Sequence, residues 1–167
     1  MNAITIRPET AADRDTVHAL LTAAFEGDGE AGLVRALHAA GDVVLALVAE
    51  FEGAVCGHVL FSRLNVENGD KSSPAVALAP LAVLPARQRR GIGAQLVEEA
   101  HRQLKTTGET LSVVLGEPSY YRRFGYTRND AAGFESEYQC DALQAVRWGD
   151  AVPRTGRLVY APAFGGL

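Results

Sequence analysis

Cysteine is nearly absent: Cys56 and Cys140 are the two in 167 residues, and neither sits in a CxxC spacing. One possible pair cannot build a disulfide framework, and the usual thiolate zinc spacings are missing too. No apolar run approaches the ~20 residues of a membrane-spanning helix. The opening "MNAITIRPETAADRD" has no apolar signal core. Excess positive charge is also lacking: 16 Lys and Arg against 20 Asp and Glu leave a net charge of -4. A protein that grips a nucleic acid along a broad face usually carries the opposite sign and a pattern of stacking aromatics. Neither is seen, and there is no internal repeat, low-complexity tract or linker. The expectation is a reduced, cytoplasmic protein with no nucleic-acid or membrane partner. What the chain does have is a 47% apolar, 22% charged composition, enough for one folded domain with a full core.

Periodicity predicts a mixed α/β order. "AITIR" reads as an opening strand, followed by a helix with Val17, Leu20, Leu21 and Ala24 at helical spacing and Thr10 or Asp13 as cap. The acidic, glycine-rich "FEGDGEAG" breaks the chain before a short helix over 31–40. "DVVLALVAE" and "AVCGHVLFSRLNV" flank "FEG" as a hairpin. The polar "ENGDKSSP" reads as a connection into "AVALAPLAVLP", an apolar run suited to a strand buried on both faces. Pro80 cannot donate to a ladder, so that strand should be bulged or splayed there. A helix after Gly91 carries Ile92, Leu96, Ala100 and Leu104 on one face. "TLSVVLG" is a short strand and "EPSYYRRFGY" a helix of about two turns. The remainder is less regular, with a closing strand in "GRLVYAPAF".

The most informative absence is local. "VLPARQRRGIGAQLV", Val83 to Val97, holds no acidic residue, although helix starts favour one because their N–H groups and dipole attract negative charge. A strand, a turn, glycines and a helix together point free N–H groups at an external anion. Gly91 and Gly93 would let it approach the main chain. The clusters Arg87, Arg89, Arg90 and Arg122, Arg123 suit a small anionic ligand better than a polymer. Two phosphate motifs are excluded. Ala94 and Gln95 follow Gly93 where a P-loop needs GK[ST], and Leu96 stands where the dinucleotide fingerprint needs a third glycine.

The run "LAPLAVLPARQRRGIGAQLVEEA", with "YYRRFGY" downstream, resembles the GCN5-related N-acetyltransferases (GNAT). Their Q/R-x-x-G-x-G/A signature stands here as Gln88-Arg89-Arg90-Gly91-Ile92-Gly93. Gly156, Tyr160, Ala163 and Phe164 match a bacterial branch. The resemblance implies a single N-acetyltransferase domain over 1–167 of α/β (α+β) class. Its sheet would be mixed, mostly antiparallel and twisted, with a splayed central strand pair and helices on both faces. It implies acetyl-CoA as donor cosubstrate, its pyrophosphate on the loop Arg89 to Ala94, and an amine-bearing acceptor as the other partner. Leu81, Ala82 and Val83 would pair with the pantetheine arm, one of their N–H groups polarising the thioester carbonyl. Tyr121, just ahead of the "FG" turn, would be the general acid. Tyr120 beside it is the less favoured choice.

The base is open. His58 titrates in the right range, although a lone histidine on an apolar strand is more often a core group. Glu26, Asp28 and Glu30 fall in the loop that borders the acceptor in the family. Many relatives have an asparagine on the pantetheine before the short helix. Here "VVLGEPSYY" has none, and Ser119 is the polar residue available. A non-catalytic acyl-CoA sensor is the alternative to an enzyme; a monomer or homodimer is expected.

Overall fold

The structure, a computed structural model, describes residues 3–166. In chain order it contains β1 (Ile4–Pro8), α1 (Arg14–Phe25, entered through a 3-10 turn at Ala11–Asp13), α2 (Gly29–Ala40), β2 (Val43–Phe51), β3 (Ala54–Asn68) and β4 (Lys71–Val83). There follow α3 (Ile92–Thr106), β5 (Leu111–Leu115), α4 (Pro118–Tyr121, continued by a 3-10 turn to Phe124), β6 (Phe134–Glu135), β7 (Leu143–Arg147) and β8 (Gly156–Val159). One mixed sheet runs β1-β2-β3-β4-β5-β7, and β8 joins the far end of β3 and pairs with β6. Neighbours along the main path are antiparallel except β4 and β5. This is a single mixed α/β domain with helices on both faces.

Three departures from the expected elements have physical reasons. The polar "ENGDKSSP" is not a loop. Val66, Glu67 and Asn68 pair with Ser73, Ser72 and Lys71, and β8 bonds Asn65 to Glu67 on the other side. Both strand edges are thus satisfied in spite of polar side chains. β7 lies inside the stretch taken as irregular, its polar Gln144 fully inside the sheet. Finally α2 starts at Gly29, leaving Asp28 at its N-cap and Glu30 in its first turn.

Strand alternation sends β3 residues to opposite faces. Val59 and Phe61 pack with Ile92, Leu96 and Ala100 of α3, while Leu60 packs with Leu21, Leu33 and Leu37 of α1 and α2. The anticipated stripe of α3 is fully buried. Between these layers β4 is irregular. Leu78 faces Phe61 but Leu81 faces Val59, so β4 carries one residue more than β3 around Pro80. The parallel ladder with β5 covers only Val76–Leu78 against Ser112–Val114. Beyond it the two strands part, as the proline foreshadows.

The first crossover is pinned by charge. Arg7 donates to Asp13 Oδ2 and Oδ1 at 2.8 and 2.9 Å and to Glu50 at 2.8 Å, and the Thr10 N–H donates to Asp13 at 2.7 Å. The hydrogen bonds from Arg7 hold the Asp13 carboxyl well below the usual carboxylate range, against the opposing effect of burial. A depressed folded-state pKa adds stability that is fully present above the unfolded value of ~3.9 and is lost as pH falls through the folded one. Asp13→Asn should therefore lower stability in urea melts at pH 7 by about 1–3 kcal/mol. The gap to the unaltered protein should begin to narrow below pH 4 and keep shrinking as pH falls toward the folded value; a gap that stays constant across that range would refute the assignment.

Candidate active site

After β4 the chain makes a 3-10 turn at Pro85–Arg87 and enters α3 through a glycine cap. The Gln88 side chain donates to the Val83 carbonyl at 3.0 Å, tying this loop to the end of β4. Gly91 caps the helix at φ 80°, and Arg89 is left-handed too, at 65°. Gln95 N–H bonds Gly91 O at 3.0 Å, so the N–H groups of Ile92, Gly93 and Ala94 precede the first helical bond. No acidic side chain lies in that turn. These groups line a cavity of about 510 Å³ with Leu81, Val83, Arg87, Tyr120 and Arg123. Arg123 stacks its guanidinium 4.7 Å from the Tyr120 ring centre. A Cβ on Gly93 would stand 2.6 Å from the Tyr120 hydroxyl, so glycine here keeps both the loop and Tyr120 in place.

Tyr121 turns the other way. Its ring lies so close to Gly116, at the end of β5, that a Cβ there would be 2.5 Å from a ring carbon. It meets Tyr120 and Phe124 edge-on at 5.0 and 6.4 Å and stands 5.8 Å from Tyr126. The Tyr126 hydroxyl is joined to Ser112 at 2.7 Å and to His101 at 3.0 Å, fixing α3, β5 and the floor beneath Tyr121 as one unit. Burial, reinforced by Tyr120, pushes the Tyr121 hydroxyl up to about 12. It stays protonated near neutral pH.

A second cavity, about 930 Å³, also borders the parting of β4 and β5. Ala77 to Pro80 of β4 and Val113 and Leu115 of β5 line it, with Asp28 and Glu30 at the start of α2 and Tyr138, Tyr160 and Phe164 from the C-terminal region. The same strand thus serves both cavities, its Leu81 and Val83 facing the smaller one.

His58 is elsewhere. It is fully buried, lines neither cavity, and its Nε2 meets Glu9 Oε1 at 2.6 Å. Glu9 is itself sealed and also engages Arg14 and, at 3.2 Å, His38. Burial pushes the Glu9 carboxyl up, but the His58 hydrogen bond and the nearby positive charge outweigh it and hold it below the ordinary value. This cluster clamps β1, α1, α2 and β3 together.

Of the residues singled out from sequence for a cofactor, Leu81, Val83, Gln88, Arg89, Gly91, Ile92, Gly93 and Ala94 come together around the smaller cavity. Ala82 packs its side chain toward α1 and α2, and Arg90 is exposed outside the lining. Ser119 donates its hydroxyl to Glu117 at 3.1 Å, at the cap of α4, and lines neither cavity. Arg87 and Arg123, noted from sequence in the two basic clusters but not assigned to the cofactor, line the cavity too. The i, i+3 spacing of Tyr120 and Arg123 on a short helix was the available signal.

Residues 5–128 match the family model described as an acetyltransferase (GNAT) domain. The chain belongs to the GNAT acetyltransferase family. It is 41% identical over 122 residues, 72% of each chain, to the uncharacterized N-acetyltransferase YhbS of Escherichia coli K12. The solved structure of E. coli YhbS in complex with CoA superposes with a TM-score of 0.90 at 33% identity, covering 99% of this chain and 93% of that one. A GNAT acetyltransferase from Brucella melitensis in complex with acetyl-CoA gives 0.83 at 34% identity, covering 98% and 99%. All of the signature residues except Arg90 line the smaller cavity. Among the described residues, no helix is long and apolar enough to cross a membrane.

The Glu9 cluster carries its own test. Glu9→Gln leaves the fully buried His58 ring and the partly exposed Arg14 side chain facing a neutral amide, and losing hydrogen bonds to a charged group costs about 1.5–3 kcal/mol. Urea unfolding at pH 7 should show that loss. A change within experimental error would mean that the cluster does not hold these elements together.

Proposed function

We propose that the chain transfers an acetyl group from acetyl-CoA to a primary amine by direct attack on the thioester, with Tyr121 as general acid. The observation that carries this reading is the parting of β4 from β5, with an acid-free helix start at one end and an independent cavity at the other. Acetyl-CoA is the donor, supplying an activated acyl group and a thiolate leaving group. The N–H groups at the start of α3 receive the pyrophosphate, and Arg87, Arg89 and Arg123 offset its charge. Leu81 to Val83 offer main-chain groups to the pantetheine arm as an added strand would receive them. One of their N–H groups stabilises the developing oxyanion.

Tyr121 holds its proton at neutral pH and packs against Gly116, just past the end of β5, while lining neither cavity itself. An ordinary thiol has a pKa of ~8.5, below that of Tyr121. The hydroxyl therefore stabilises the departing sulfur first by donating a hydrogen bond; the proton given up by the attacking nitrogen replaces the one that Tyr121 passes to sulfur, so the products are the amide and the CoA thiol. His58, spent on Glu9, serves the fold and does not touch the amine. The two unpaired thiols, Cys56 and Cys140, fit a cytoplasmic setting.

Release of free CoA over a panel of amines, measured beside calorimetric binding of acetyl-CoA, separates an enzyme from a sensor, which would bind without turnover. Tyr121→Phe keeps the ring and should lower turnover roughly a hundredfold or more with acetyl-CoA affinity little changed. Tyr120→Phe should stay within a few fold of the unaltered enzyme. The reverse pattern would exchange the roles of the two tyrosines.

A further inference from the structure

We infer that the acceptor is a small amine with an apolar body, a second cationic group and no carboxylate. This rests on the acetyltransferase reading above and concerns the larger cavity. Its volume of about 930 Å³ is at the upper end of small-molecule sites and far exceeds what a single amino acid fills. Its lining contains no lysine, arginine or histidine. The charged groups in it are Asp28 and Glu30, and among the described residues neither has an ion-pair partner. Asp28, at the N-cap of α2, makes no side-chain capping bond. A carboxylate brought here would lose water, meet two like charges and find no cation to pair with.

The body of the cavity is apolar. Leu115, 51% exposed, is one of two large hydrophobic side chains left open to solvent among the described residues. Opposite the strand residues stands an aromatic wall: Tyr138 meets Tyr160 edge-on at 5.1 Å, and Tyr160 meets Phe164 at 5.4 Å. Burial raises the Tyr160 hydroxyl above its ordinary value, so the wall is neutral. Methylene or aryl groups gain by covering it, and ring faces also attract cations. One nitrogen cannot both attack the thioester as a neutral amine beside β4 and remain an ammonium beside Asp28 and Glu30 on α2. Two nitrogens separated by an apolar spacer satisfy both ends. The bond formed is the amide at the β4 end and the bond broken is the thioester C–S; the proton lost by the attacking nitrogen balances the one gained by the CoA thiol, and the second ammonium stays in place.

Three compounds of equal length isolate the terms: 1,8-diaminooctane, octylamine and 8-aminooctanoate. The expected order of kcat/KM is diamine, then monoamine, then amino acid, with at least tenfold between the first and last. Asp28→Asn with Glu30→Gln should erase most of the advantage of diamine over monoamine while leaving acetyl-CoA affinity unchanged. Calorimetry of the same compounds on the CoA-bound protein separates this inference from the enzymatic reading. Diamine binding that the double change abolishes upholds it even without turnover. Acceptance of 8-aminooctanoate equal to the diamine, or a diamine preference indifferent to the double change, overturns it.

Discussion

A parallel ladder that stops after three residue pairs governs the layout of this molecule. Past Leu78 and Val114, β4 and β5 no longer bond, and each must satisfy its backbone in another way. β5 does so through β7 on its outer side. β4 keeps β3 on one side, absorbs an extra residue around Pro80, and presents its other side to a cleft. Buried main-chain groups without partners are costly, so such an edge is a place for a ligand with strand-like hydrogen-bonding groups.

The two ends of that cleft differ in charge. Arg87, Arg89 and Arg123 surround the helix start, and Asp28 and Glu30 mark the larger cavity. Net charge hides this division, because -4 over the whole chain gives no hint of a cationic cavity. Under the proposed function, an anionic donor and a cationic acceptor would each be drawn to its own end and repelled from the other. The thioester and the amine would then meet where the strands part. Tyr121, the proposed acid, is seated against Gly116 just past the end of β5.

The legible parts of the site were local in sequence. The glycine-bracketed helix start, the proline-interrupted strand and the short helix before Gly125 all lie within one segment, so spacing sufficed. The Glu9–His58 contact joins residues 49 apart, and no periodicity reports it; His58 therefore looked available when it was already paired. The larger cavity takes Tyr138, Tyr160 and Phe164 from a region whose short strands are fixed by tertiary pairing and not by pattern. Polar β3–β4 residues misled for the same reason, because their strand state depends on β8, which arrives about ninety residues later.

The central claim is that the β4 edge and the α3 start receive the donor together. Amide NMR of the protein titrated with CoA tests it most directly. The account expects the largest shifts at Leu81 to Val83 and at Arg89 to Ala94, including amides that gain hydrogen bonds, while Gly29 to Leu33 of α2 stay nearly still. Shifts centred on α2 and the C-terminal aromatic wall, with the helix start unmoved, would contradict it.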